Sequence, residues 1–93
     1  MSSKKLSERV HARRRAMQRY GITFGRERRS ALVRAIQTDK AVFLRAFSNR
    51  SKAFAVFYEE NWYAVVYDNQ RKEIITFLPP EFLERYRSRL KTS

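Results

Sequence analysis

The sequence predicts an α+β domain: two N-terminal helices packed on a four-stranded antiparallel sheet, with a C-terminal helix. Three observations predict it. Residues 7–38 carry apolar side chains at helical spacing. Beyond residue 40 the pattern changes to short runs rich in Val, Ile, Phe and Tyr. Brief polar turns separate those runs, as in an antiparallel meander.

Taken in order, residues 1–6 are polar and expected to fray. Ser7 is a candidate cap for a helix running to about Tyr20, with Val10, Met17, Ala16 and Tyr20 as its apolar edge. Gly21 supplies a stop. Thr23 is a candidate cap for a second helix, roughly Arg26 to Thr38. Leu32, Val33 and Ile36 fit its buried face, and Arg28, Arg29 and Arg34 its wet one.

Four strands follow: Ala41–Phe47, Ala53–Tyr58, Trp62–Tyr67 and Glu73–Leu78. Pro79-Pro80 ends the last strand and can start a helix. Phe82, Leu83, Tyr86 and Leu90 share one side of that helix; Arg85, Arg87 and Arg89 lie off it. No internal repeat, linker or low-complexity block interrupts residues 1–93, so a single domain is expected.

Composition narrows the function classes. Hydrophobic residues make up 43% and aromatic residues 14%, too much for a disordered basic tail. Twenty-one Lys and Arg face nine Asp and Glu, a net charge of +12 that suits a polyanionic partner. Ten of those cations lie in residues 1–29 against Glu8 and Glu27, so eight of the twelve net charges concentrate there. There is no cysteine, hence no disulfide framework or thiolate metal site, and one histidine cannot supply a His-based metal centre. No metal or other cofactor is expected. No apolar run has the length of a membrane span and no signal peptide is visible, which points to a soluble intracellular protein.

The single histidine, His11, opens the run His11-Ala12-Arg13-Arg14-Arg15, with Arg19 beyond it. On a helix His11, Arg15 and Arg19 form one stripe. RNA cleavage that uses the ribose 2′-hydroxyl as nucleophile needs a base for that proton, an acid for the leaving oxygen, and cations beside the phosphorane. Arginines disfavour the imidazolium and leave His11 neutral at pH 7, fit to accept a proton. Spacing alone favours the plainer reading, a half-exposed helix histidine without a role.

Thr76 lies inside the apolar run Ile74–Leu78, where its hydroxyl either leaves the core or needs a partner. It can bind a phosphate oxygen, although Thr is also an ordinary strand residue. Tyr63 and Tyr67 share a face; exposed they stack bases, buried they are core. The turn between the last two strands does not give the register, so whether Tyr67 and Thr76 share a face stays open. The carboxylates are scattered and form no acid–base pair, and two glycines cannot build a phosphate loop.

The segment His11-Ala12-x-x-Arg15-x-x-x-Arg19-Tyr20-Gly21-Ile22 resembles the first helix of the RelE-like ribonuclease superfamily. The similarity runs over about residues 8–80 and includes the last strand, Ile74-Ile75-Thr76-Phe77-Leu78-Pro79. Val65-Val66-Tyr67-Asp68 together with that strand is also similar to small tailed-phage proteins. The resemblance implies a compact sheet carrying two helices and a nucleolytic or RNA-binding cleft. It implies His11, Arg15, Arg19 and Thr76 as site residues, with Tyr67 a weaker match.

Together these readings give an RNA-directed protein, a metal-independent ribonuclease or toxin with His11 as general acid/base, Arg15 and Arg19 on the phosphate and Thr76 assisting. Arg13, Arg14, Arg26, Arg28, Arg29 and Tyr67 are expected to contact nucleic acid. The rival is a non-catalytic phage-encoded protein that inhibits a host enzyme or binds nucleic acid through its basic face. An acidic antitoxin is a further partner compatible with the first reading. The expected location is the cytoplasm of a bacterial host, with no membrane partner.

Overall fold

The computed structural model describes residues 3–90, with side chains from residue 10 onward. It is α+β, as the sequence predicts. Helices α1 (Ser3–Tyr20) and α2 (Arg26–Gln37) precede strands β1 (Val42–Ala46), β2 (Ser51–Tyr58), β3 (Asn61–Asp68) and β4 (Glu73–Phe77). A short helix α3 (Glu81–Arg85) and a 3-10 turn (Arg87–Arg89) close the chain. The sheet is a meander in the order β1-β2-β3-β4, antiparallel throughout.

Ser7 is not a cap. It lies inside α1, which already includes Ser3, so residues 3–6 are helical rather than frayed. Lys4, Lys5 and Leu6 are good helix formers, and no Gly or Pro interrupts the chain before Gly21. Residues 1 and 2 lie outside the described residues. Gly21 ends α1 as expected: its φ of 66° is open to glycine, and its N–H reaches the Met17 carbonyl at 3.0 Å.

The apolar edge of α1 is narrower than the sequence suggests. Val10 and Met17 are 44% and 52% exposed, whereas Ala12 and Ala16 are buried. Small side chains let the helix lie close to β4, and Tyr20 supplies the bulk, edge-on to Tyr63 and Phe77. Thr23 does not cap α2 either. Gly25 takes that place without a side-chain hydrogen bond, while the Thr23 carbonyl accepts a bond from Arg28 at 2.6 Å. Leu32 and Ile36 are buried and Val33 partly so.

The sheet is covered on both faces. Between the sheet and helices α1 and α2 pack Phe24, Leu32 of α2, Val56, Val65, Ile74 and Phe77. On the other face Leu44, Ala53 and Ala55 meet Phe82, Leu83, Tyr86 and Leu90 from the C-terminal segment. That double cover explains why β3 is buried from Tyr63 through Asp68 without alternation. The C-terminal apolar side is as expected, but Tyr86 leaves helical geometry, so the helix stops at Arg85.

Three local devices fix the strands. Strand β2 starts two residues early, at Ser51, because the Ser48 hydroxyl accepts the N–H groups of Arg50 and Ser51 and tightens the turn. The β2–β3 hairpin turns on Glu59 and Glu60, both at positive φ (50° and 67°). Asp68 is 4% exposed and holds the β3–β4 turn by accepting the N–H groups of Gln70 and Arg71 and the Arg50 guanidinium.

Candidate functional site

Helix α1 lies against β4, an edge strand, and their seam brings together three of the four residues expected to form a site. His11 Nε2 and Thr76 Oγ1 are 3.0 Å apart. One helical turn on, Arg15 donates to Gln18 at 3.1 Å. A further turn on, Arg19 donates to the Phe77 carbonyl at 3.1 Å, next to Thr76. Ala12 and Ala16, buried on the packed face, hold this flank of the helix against the strand.

The imidazole is on the surface and its pKa lies below the ordinary 6.5. Partial desolvation is the first cause; the charges of Arg15, Arg14 and Arg19 follow. The ring is therefore neutral at pH 7. A neutral ring both donates and accepts, and the Thr76 hydroxyl, able to do either, fixes the orientation of the ring with either tautomer. With Nε2 held by Thr76, Nδ1 is the nitrogen left for proton exchange. The arrangement can take a proton from a hydroxyl placed at the seam, with Arg15 alongside for the charge that develops.

The strand register settles the relation of Tyr67 to Thr76. Tyr67 pairs with Ile74 and Thr76 with Val66, with a bulge between the two pairs, so they occupy different faces. Tyr67 is 6% exposed and its hydroxyl accepts a bond from Gln37 Nε2 at 3.0 Å. It is core beneath the helices, so the expected base contact at Tyr67 is corrected.

The basic side chains divide in the same way. Arg13, Arg14 and Arg26 are exposed. Arg28 is half-buried and committed to the fold, donating to the Thr23 carbonyl and to Glu59 at 3.0 Å. Arg29 is half-buried beside Val33, Lys72 and Glu73.

The residue that sequence reasoning placed only as an apolar edge is Tyr20. Its hydroxyl donates to the Leu78 carbonyl at 2.8 Å and accepts the Ala64 N–H at 3.1 Å. It thus bolts the end of α1 to both β3 and the exit of β4. Burial pushes its pKa up to about 12, outweighing the Ala64 N–H and the Arg19 charge, which act the other way.

Among the described residues no cluster of His, Cys, Asp and Glu has the makings of a metal site, and no helix is long and apolar enough to cross a membrane. Comparison with protein-family models, curated proteins and solved structures finds no match to this chain. The RelE-like likeness therefore rests on its motif residues.

Proposed function

We propose that the chain is an RNA-directed protein that cleaves RNA at the seam between α1 and β4. The observation that carries this reading is the 3.0 Å contact of His11 with Thr76, flanked by Arg15 and Arg19 on the same helical stripe. His11 takes the proton of a ribose 2′-hydroxyl, whose oxygen attacks the adjacent phosphorus. The bond to the 5′-oxygen breaks, that oxygen takes a proton from water, and a 2′,3′-cyclic phosphate and a 5′-hydroxyl remain. Arg15 stabilises the phosphorane charge. Arg19 contributes charge while it anchors the helix, and Thr76 orients the imidazole. The site of action is the cytoplasm of a bacterial cell.

The test is cleavage of end-labelled structured and single-stranded RNAs in EDTA, wild type beside His11→Ala. Discrete fragments with cyclic phosphate ends, lost in the variant, are expected. Intact RNA with the wild type, or equal cleavage by both proteins, defeats the reading.

A second reading is favoured by a different part of α1. Val10 and Met17 are half-exposed and, with the exposed Arg13 and Arg14, form an outward face away from Ala12 and Ala16. That face suits an acidic protein: a host enzyme that the chain inhibits, or an antitoxin that restrains it. A stoichiometric protein partner recovered from host lysate, together with intact RNA above, supports this reading.

A further inference from the structure

The sheet edge remote from His11 has its own chemistry. From Lys40 through Tyr58 the chain contains no Asp or Glu, while Lys40, Arg45, Arg50 and Lys52 are cationic. In the same stretch Phe43 and Phe47 are each 48% exposed. The order along the edge is Phe43, Arg45, Phe47, and an irregularity between the first two puts Phe43 on the face of Phe54 and Arg45, with Phe47, on the face of Ala53. Each face of the edge thus offers one ring and, with Lys52 on the Phe43 side, one cation. The Arg45 guanidinium stands 5.3 Å from the Phe47 ring centre, and Phe43 packs edge-on to Phe54 at 5.9 Å. The rings are thus propped from beneath while about half of each stays in solvent.

We infer that the β1 edge and the β1–β2 turn form a track for single-stranded RNA that crosses the edge from one face of the sheet to the other. Phe43 and Phe47 stack bases, and Arg45 and Lys52 hold phosphates. This rests on the RNA-directed reading but not on cleavage.

Three observations favour that occupant. Unpaired bases need exposed π-faces beside positive charge, and residues 41–58 offer both with no carboxylate among them to repel phosphate. Arg50 is excluded from the track because it is tied to the buried Asp68 at 2.9 Å. The other exposed aromatic, Phe57, packs with Trp62 next to Glu59 and Glu60, where phosphate is disfavoured. A strand from a second copy is disfavoured too: Arg89 already donates to the Phe43 and Leu44 carbonyls, at 3.2 and 2.9 Å, and the approaching edges carry like charge. Since β1 and β4 are opposite edges, the track and His11 are three strand spacings apart, about 14 Å. The track therefore grips RNA away from the bond to be cut, which adds affinity without touching the reacting atoms.

Fluorescence anisotropy tests this with a labelled single-stranded RNA of about 12 nucleotides and its blunt duplex, using His11→Ala protein so that the probe is not cut. Single strand is expected to bind tighter than duplex. Phe43→Leu with Phe47→Leu keeps apolar bulk but loses the rings, and should weaken single-strand binding at least about tenfold, with Phe→Trp at both sites restoring it. Arg45→Gln should reduce the slope of log affinity against log salt by about one. Circular dichroism checks that each variant folds. Unchanged affinity in the double Leu variant, or a preference for duplex, overturns the track. So does an acidic protein that displaces no RNA and depends on the same phenylalanines. Binding that depends on Phe43 and Phe47 in a protein that cuts nothing leaves the track standing and removes the cleavage reading instead.

Discussion

His11 and Thr76, separated by 65 residues of chain, meet through Nε2 and Oγ1 at 3.0 Å. The contact joins the first helix to the last strand and places a lone imidazole beside three arginines. Those charges act on its protonation, after desolvation. The relationship has consequences that can be measured without knowing the substrate.

Because this is the only histidine, its ring protons titrate in NMR without assignment ambiguity. The midpoint is expected below 6.5, and Arg15→Gln should raise it. The acid limb of any cleavage profile should then lie below pH 6.5. The stability sign follows: the native ring binds its proton less readily than the unfolded one, so stability is lost as pH falls below 6.5, and His11→Ala abolishes that dependence. A midpoint at or above 6.5 contradicts the account.

Thr76→Val removes the hydroxyl and keeps the shape of a strand residue. If Thr76 orients the ring, cleavage should fall by about tenfold to a hundredfold while thermal stability changes little, and Thr76→Ser should restore most of it. Equal losses in Val and Ser variants would assign Thr76 to packing alone.

Tyr20→Phe keeps the ring contacts and deletes the hydroxyl shared by Leu78 and Ala64. Two backbone groups lose a partner, and urea denaturation should report a loss of about 1–3 kcal/mol. In the wild type this phenol stays protonated until about pH 12. Its contribution is thus fully present below pH 10 and disappears as pH rises toward 12.

Asp68→Asn should destabilise the β3–β4 turn by about 1–3 kcal/mol near neutrality. Burial alone would raise the Asp68 pKa, but the Arg71 N–H, the Arg50 side chain and the Gln70 N–H together hold it below the ordinary value. Arg50 is 45% exposed, so most of the effect belongs to the backbone bonds rather than to the ion pair. The deficit should shrink as pH falls through the native Asp68 pKa, because the wild type then loses the same charge. Acid denaturation of both proteins measures it.

Ala16→Leu places a large side chain where α1 lies on the sheet with nothing exposed. Overpacking should cost about 1–3 kcal/mol and detach His11 from Thr76. Loss of the histidine's shifted midpoint alongside the lowered melting temperature would tie helix seating to the site.

The strands and both helices were legible because Val, Ile, Phe and Tyr cluster in short runs and Gly21 marks a stop. What could not be read was contact across distance. Ala12 and Ala16 outrank Val10 and Met17 in the interface because closeness, not hydrophobicity, is selected there. Tyr67 looked available for bases because alternation implies one wet face, but its own face lies under the helices, where Gln37 of α2 meets its hydroxyl. The Glu59-Glu60 turn lacks the usual Asn-Gly signal, yet both residues adopt positive φ. The stripe of His11, Arg15 and Arg19 was legible from helical spacing; its meeting with Thr76 depended on how α1 docks on β4.

The arginines on the sheet edges have another consequence. Arg19 donates to the Phe77 carbonyl at one edge, and Arg89 to the Phe43 and Leu44 carbonyls at the other. A guanidinium can donate but never accept, and it keeps its charge throughout the physiological range. Strands as rich in Val, Ile, Phe and Tyr as these are amyloid-competent when their flanks are bare. Two permanent cations, one from α1 and one from the C-terminal turn, each docked on an outer strand, disfavour fibre growth from the native state.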